Sequence, residues 1–528
     1  MARPVESRLV GHPPPAVVEA APLRGDLPTP PTDEERTLYF GPQHRWVIGS
    51  SFAASLLVIA SILVFFWQRP WAIWLAIPVG INLVGACVSL VSSSRKRRYT
   101  YEQHQKMVED WSPDYVPSVD VLLPCAGEDL AVLDNAYRHV KQLKWHGDFT
   151  VVVLDDSGRD EVRLLAERHG FRYLAREDRG RMKKAGNLLH GFRHTSGDFI
   201  LVLDADFVPR PDLFYDLLPH MDDELNGIVQ SPQFFDFDKD RMSWIQHAAG
   251  ATQVLFYRWI QPSRDRSNAA ICVGTSAVYR REALVKAGGF AQIEHSEDVH
   301  TGIKLMKAGY RVRYVPIVVT KGLCPDKFDQ FVTQQYRWCT GSMSLLFSTG
   351  FHEAKFTFMQ RLSYWSGFLY FIGTGVNIFT VVIPPVLMGI FAPGAVNPMN
   401  YALVVMALAL RRAIIPVITM DKASLTSIMR IQMTYSFAHS LALFDAIRRR
   451  TDGWVATGQT AARSRTAERV TKLSVRWCVG VQVVLWLLLA VRFGQGYAAN
   501  FWPLVILTLF NLYLVLPIVL RRGSRVAS

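Results

Sequence analysis

Four short stretches hold the residues whose types and spacing could do chemistry: VVVLDDSG at 151–158, LVLDADF at 201–207, HSEDVHTG at 295–302 and QQYRW at 334–338. In the first two, carboxylates follow directly on apolar runs. Such side chains are rarely buried unless something pairs with them or coordinates to them. Acids at the carboxyl ends of strands point to a ligand that brings a metal ion and phosphates, because that edge of a parallel sheet is where ligands bind. Asp204 and Asp206 flank Ala205 and, by strand alternation, share a face. Mg²⁺ or Mn²⁺ is commonly held by one or two carboxylates plus substrate phosphates, and would neutralise a departing diphosphate. Asp155 and Asp156 suit the base or ribose of a nucleotide, and Lys184 suits phosphate charge. Asp298, crowded by His295, Ser296 and Glu297, suits a general base taking a proton from an acceptor hydroxyl. Gln334 and Arg337 lie one helical turn apart. Arg337 could clamp a diphosphate and Trp338 could stack on a sugar ring. Each motif has a plainer alternative: a solvated turn for Asp204 and Asp206, a turn cap for Asp155 and Asp156, a helix-start lysine for Lys184, a helix N-cap for Asp298, and an interfacial belt for Arg337 and Trp338. Their joint occurrence favours the chemical reading.

The elements that must position these residues alternate. Short apolar strands are predicted at 119–124, 150–154, 171–175 and 199–203, with helical spacing at 129–144, 160–169 and 184–194. Strand–helix alternation predicts an α/β domain with a mostly parallel sheet. Two later helices, near 298–308 and 326–348, would cover the site.

Half of the 528 residues are apolar, and long apolar runs flank this domain on both sides. Residues 47–67 and 71–91 are each about the 20 residues a bilayer needs, joined at Gln68-Arg69-Pro70. Four more spans are expected at 363–391, bent at Pro384-Pro385, and at 401–420, 475–491 and 501–520. Arg95-Lys96-Arg97-Arg98 and the closing Arg521, Arg522 and Arg525 place both termini and the central domain on the cytoplasmic side. Arg411-Arg412 falls inside the fourth span and marks either its cytoplasmic end or a polar channel face. Residues 424–450 have the spacing of an amphipathic interfacial helix. The net charge of +13 fits basic cytoplasmic flanks. No basic helix with interleaved aromatics appears, so nucleic acid is not expected as a partner; membrane lipids are. Six cysteines without a CxxC pair exclude a zinc ribbon or disulfide framework and fit a reducing compartment. Residues 1–44, rich in Pro and charge, are expected to be a disordered cytoplasmic tail without a cleaved leader.

Taken in order, with KAGN at 184–187, QSPQFF at 230–235, CVGTSAVYRREAL at 272–284 and SEDVHTGIKLMKAGY at 296–310, these motifs resemble the processive family 2 glycosyltransferases of the bacterial cellulose synthase type. The resemblance covers about residues 115–460. It implies a GT-A fold over 115–350 inserted between a hairpin at 45–98 and a C-terminal channel region at 351–528. It also implies an inverting UDP-sugar hexosyltransferase, UDP-glucose first among donors, in a bacterial plasma membrane. Mg²⁺ or Mn²⁺ would be the cofactor, and a growing polysaccharide the acceptor, exported through the spans. By motif, Asp155, Asp156, Lys184, Asp204 and Arg337 would bind the nucleotide sugar, Asp204 and Asp206 the metal, Asp298 with Glu297 would do the catalysis, and Gln334 and Trp338 would hold the acceptor. A gating-like loop at 451–460 keeps Trp454 and Thr457 but lacks the family's lysine, which puts its phosphate contact in doubt. Ala126-Gly127-Glu128 stands where the family carries Tyr-Asn-Glu, so base stacking must come from elsewhere. Only eight residues follow Leu520, so a cyclic-di-GMP module is not expected there. A lipid glycosyltransferase of the ceramide glucosyltransferase type, adding one sugar to a lipid, shares a similar motif set and is the alternative.

Overall fold

The computed structural model describes residues 27–70, 73, 76–235, 243–420, 423–450 and 464–520. Its centre is a seven-stranded sheet in the order β3-β2-β1-β4-β8-β6-β9. The strands are β1 (Val119–Cys125), β2 (Phe149–Asp155), β3 (Arg172–Ala175), β4 (Phe199–Val202), β6 (Asn226–Gln230), β8 (Ala277–Arg280) and β9 (Arg311–Tyr314). β8 pairs antiparallel with β4 and β6; every other pairing in this sheet is parallel. β5 (Phe207–Pro209), β7 (Phe234–Phe235) and β10 (Thr320–Gly322) form a small second sheet. Of the apolar runs read from the sequence, the central strands β1 and β4 are buried throughout, whereas the edge strand β3 is not. Because β1 lies between β2 and β4, the connections on its two sides diverge, which opens a crevice at the strands' carboxyl ends. This is the mostly parallel α/β architecture that the alternation of strands and helices predicts.

Six described helices are long and apolar enough to cross a membrane: Arg45–Val64, Ala76–Ser93, Phe358–Phe391, Tyr401–Thr419, Arg465–Gly494 and Ala498–Val519. The third breaks between Phe358–Thr380 and Ile383–Phe391, just ahead of Pro384. Proline is tolerated in a first helical turn but not further in, so the helix restarts there. The fifth has 30 residues, a length of about 45 Å that exceeds the apolar thickness of a bilayer. Its first turns, carrying Arg469 and Lys472, therefore project beyond the membrane. Arg411 and Arg412 both lie within the helix Met399–Thr419, the former half-buried and the latter exposed. The helix Leu425–Ile447 packs against Phe358–Thr380 so closely that a methyl at Gly375 would meet Leu443 at 2.6 Å.

The expectation of a disordered tail over residues 1–44 needs correction for its described part. Residues 27–44 form a strap bound to the α/β domain. Thr32 and Glu35 close a capping box on the short helix Asp33–Thr37. Glu35 pairs with Lys321 at 2.8 Å, and Asp33 with Arg210 at 2.8 Å. The carbonyls of Pro28 and Pro31 accept hydrogen bonds from Asn135 and Arg210. Tyr39 and Phe40 are buried. Composition alone counts only the segment's own apolar content; it cannot see that partners elsewhere complete the burial. Arg36 binds both oxygens of Asp216, at 3.0 and 2.5 Å, and Asp216 is 1% exposed. Arg36→Ala should leave that carboxylate with His104 alone and lower the unfolding midpoint of the detergent-solubilised protein by about 5 °C. An unchanged midpoint in a thermal melt would show that the strap adds nothing to stability.

Candidate active site

The crevice at the ends of β1, β2 and β4 is a cavity of about 400 Å³. Asp156, Lys184, Asp204, Asp206, Glu297, Asp298, Gln334, Arg337 and Trp338 all line it. Residues far apart in the sequence, from Pro124 to Trp338, thus share one chamber.

Lys184 is central. Its ammonium donates to Asp204 Oδ1 at 2.5 Å and to the carbonyl of Gly274 at 2.8 Å, and lies 3.6 Å from Glu297 Oε1. Burial works against the charged form, yet Asp204, Glu297 and Asp298 hold its pKa above the ordinary lysine value. The helix Lys183–Arg193 brings it there by docking on the sheet: Asn187 donates to the carbonyl of Leu154 at 2.7 Å, and a methyl at Gly191 would meet Leu154 at 2.7 Å. Met182 and Lys183 enter this helix with φ of 53° and 51°, a left-handed backbone found where function holds strain.

The acids outnumber their cations. Burial pushes the Asp206 carboxyl up to about 7, with Asp204 and Glu128 adding to it. Asp298 also rises to about 7, through burial and then Glu297, while Lys184 pulls it back. Glu128, from the Ala126-Gly127-Glu128 turn, is raised by burial too and accepts from the Ala126 N–H at 2.6 Å. The sequence analysis gave Glu128 no role in the site; its signal was a third acid just past the end of a buried strand. Among the described residues, no group of three or more His, Cys, Asp or Glu side chains closes around a metal position. Two carboxylates flanking one residue, with one driven toward protonation by burial and by its acidic neighbours, nevertheless suit a hard divalent cation completed by phosphate oxygens.

Asp298 sits in the first turn of the helix Glu297–Lys307 and accepts from the Val299 N–H at 2.8 Å. The N-cap is Ser296, not Asp298. Two glycines make room: a methyl at Gly274 would stand 2.9 Å from Asp298 Oδ2, and one at Gly341 would collide with Ser296. Gly274 has φ of 77°, so a side chain there would be strained as well as crowded.

Two nucleotide-side expectations separate. Asp156 lines the cavity, gripped at 2.6 and 2.7 Å by Arg176, a residue the motif reading missed. Asp155 must be corrected: it is fully buried. Its carboxylate accepts from Ser157 N and Oγ at 2.7 and 2.6 Å, Arg159 N at 3.2 Å and Tyr173 OH at 2.9 Å. With its oxygens committed to the chain, it shapes the turn that presents Asp156. Trp454 and Thr457 lie outside the described residues.

The helix Phe328–Leu346 has two working faces. Gln334, Arg337 and Trp338 look into the cavity, while Gln335, Tyr336 and Cys339 are buried on the other side. Tyr336 OH donates to Asp445 Oδ2 at 2.8 Å, and Arg469 grips the same carboxylate at 2.7 and 2.8 Å. His439 lies 3.4 Å from Gln335 Oε1 and 2.7 Å from Thr374 Oγ1. Asp445 and His439 belong to the helix Leu425–Ile447, so the membrane-side helices fix the rotation of the helix that carries Arg337.

Residues 199–415 match the glycosyl transferase family group 2. That stretch contains Asp204, Asp206, Asp298, Gln334, Arg337 and Trp338. The chain resembles bacterial cellulose synthase catalytic subunits. It is 31% identical over 239 residues to cellulose synthase 1 catalytic subunit [UDP-forming] of Komagataeibacter xylinus, covering 44% of this chain and 32% of that protein. It is 31% identical over 312 residues to the corresponding subunit of Pseudomonas fluorescens, covering 56% and 41%. The chain thus matches about a third to two fifths of these relatives' own length. Among solved structures, a mannosyltransferase from Pyrobaculum calidifontis in complex with GDP-Man and Mn²⁺ aligns with a TM-score of 0.44 at 17% identity, covering 71% of this chain and 99% of that one.

Two measurements test the site's physics. The folded protein keeps the Asp298 proton up to about pH 7, whereas the unfolded chain releases it near the ordinary aspartate value. Stability from this group therefore falls as pH rises through that window and is flat above it. In metal-free buffer, Asp298→Asn should be more stable than the parent by about 2 kcal/mol at pH 8, with the gain gone near pH 4. Parallel pH profiles would contradict a strained buried carboxylate. A double-mutant cycle of Tyr336→Phe and Asp445→Asn, read by denaturant unfolding, should return a coupling of about 1.5 kcal/mol. Strict additivity would mean that the hydrogen bond contributes nothing.

Proposed function

We propose that this protein is a processive, inverting β-glycosyltransferase. It would extend a polysaccharide from a UDP-sugar and pass the product through its own membrane helices. UDP-glucose and a cellulose-like glucan are the first assignment. The observation that carries the reading is that Asp204, Lys184, Asp298, Arg337 and Trp338 line one cavity whose helical wall is bolted to membrane-side helices through Asp445. The names of the relatives in Komagataeibacter and Pseudomonas support the direction of the assignment.

In this reading the donor's diphosphate lies between Asp204 and Arg337, with its nucleoside toward Asp156. A divalent cation on Asp204 and Asp206 would supply charge neutralisation for the departing diphosphate. Arg337 adds a fixed planar donor set to the same oxygens. Lys184 donates to Asp204 and holds it at the cavity wall. Trp338 offers an apolar face to the acceptor sugar, and Gln334 an amide to its hydroxyls. Asp298 takes the proton of the acceptor hydroxyl as that oxygen bonds to the sugar's anomeric carbon; the bond from that carbon to the diphosphate breaks on the opposite face, and UDP leaves. A carboxyl raised to about 7 is a stronger base than a free aspartate while still ionised in much of the population at neutral pH.

The test uses membranes containing the full chain, labelled UDP-sugars and Mg²⁺, read by UDP release and by product size. A long alkali-resistant polymer is expected from one donor, with loss on chelation and with kcat/KM rising as pH passes through about 7. Asp298→Asn should lower turnover by about a thousandfold while UDP still binds. Unimpaired synthesis by that variant would remove Asp298 as base, and a single sugar on a lipid would replace polymerisation by the lipid-transferase reading.

A further inference from the structure

A second pocket lies where the first two membrane helices meet the α/β domain. Arg45 and Ile48 line it from the start of the helix Arg45–Gln68, Arg95 and Lys96 from just beyond the end of Ala76–Ser93, and Trp259 from the domain. These two helix ends lie on the same side of the membrane, at the level of lipid headgroups. The enclosed space is about 10 Å³, room for one water-sized group, so it takes the tip of a ligand whose remainder lies outside.

The charges around it are unusual among their neighbours. Arg97 donates to the carbonyls of Tyr39 and Gly41 at 3.1 and 2.8 Å, and Arg98 pairs with Asp265 at 3.0 Å. The side chains of Arg45, Arg95 and Lys96 have no hydrogen bond or ion pair among the described residues, and all three are exposed. Trp259 is different again. It is only 3% exposed, and its indole N–H is buried with no acceptor among the described residues. It sits in the π-helical turn Phe256–Ile260, a widened turn of the kind found at functional sites. Gln43 holds that turn by donating to the Arg258 carbonyl at 2.9 Å, and Arg258 donates to the Pro42 carbonyl at 3.1 Å.

We infer that this junction binds the phosphate group of an anionic lipid, seating it between Arg45, Arg95 and Lys96 against Trp259. Three unpaired cations select an anion, and the unpaired indole N–H selects an acceptor oxygen. The position at two span ends, with Ile48 beside the charges, selects an anion that carries an acyl tail over a free one. The bound lipid would fasten the α/β domain to the leaflet from which the spans start. Nothing in this inference depends on the transfer reaction.

The test is native mass spectrometry of the full chain, extracted from bilayers of phosphatidylcholine and phosphatidylglycerol, before and after added inorganic phosphate. Phosphatidylglycerol should be retained in preference to phosphatidylcholine. Combined Arg45→Gln, Arg95→Gln and Lys96→Gln should weaken that retention about 100-fold, at about fivefold per charge. Trp259→Phe, which keeps the ring and removes the N–H, should weaken it about fivefold. Removing Arg448, Arg449 and Arg450 instead should leave it intact. Equal loss in that control, or no preference between the two lipids, overturns the site. Displacement of the lipid by millimolar inorganic phosphate would show a plain anion site and overturn the lipid assignment.

Discussion

One ammonium group makes the cleft possible. The ends of β1, β2 and β4 bring Glu128, Asp156, Asp204 and Asp206 to one edge, and the helix Glu297–Lys307 adds Glu297 and Asp298. Such a concentration of carboxylates repels itself and cannot all remain ionised in a partly dry cavity. Lys184 meets the two sets between them, touching Asp204 and standing near Glu297. Arg337 and Arg176 take up further charge, the first over the cavity and the second on Asp156. Burial first, and then the neighbouring carboxylates, raise the carboxyls of Asp206 and Asp298. The domain thus holds a deficit of positive charge in a fixed place, which is the electrostatic condition for capturing a cation together with a phosphorylated substrate.

The membrane region is part of that arrangement and not only an anchor. The helix Phe328–Leu346 turns one face to the cavity and the other to the helix Leu425–Ile447. The hydrogen bond from Tyr336 to Asp445, and the grip of Arg469 on the same carboxylate, tie three helices together beneath Arg337 and Trp338. A shift of the membrane helices would therefore be felt as a rotation of the groups that face the substrate. On the opposite side, the strap at residues 27–44 ties the first span to the domain through Arg36, Tyr39 and Gln43. The α/β domain is held to the spans at both ends of the chain.

Much of this was legible in the sequence because it is local. Apolar runs of strand length, acids one step beyond them, and six apolar stretches of bilayer length each declare themselves within about twenty residues. That window was enough for the strands β1 to β4 and for choosing Asp204, Asp206, Asp298, Gln334, Arg337 and Trp338, which line one cavity, but not for β6, the antiparallel β8 or β9. It failed where the same local pattern has two outcomes. Asp155 and Asp156 are adjacent acids at one strand end, yet the turn consumes the first while Arg176 holds the second at the cavity wall. The proline-rich stretch before residue 45 reads as disordered, yet its part from residue 27 onward is held by Asp216, Lys321 and Arg210.

The sequence by itself determined which acidic side chains could gather at the strand ends and which stretches are long and apolar enough to cross a membrane, since strand ends and apolar lengths follow from neighbours in the chain. Only the tertiary structure decided which carboxylates stay free for a ligand, which helix face meets the cavity and which arginines stay unpaired. Those outcomes depend on partners brought together across the fold, such as Tyr336 with Asp445, 109 positions apart. No periodicity within either segment encodes that meeting.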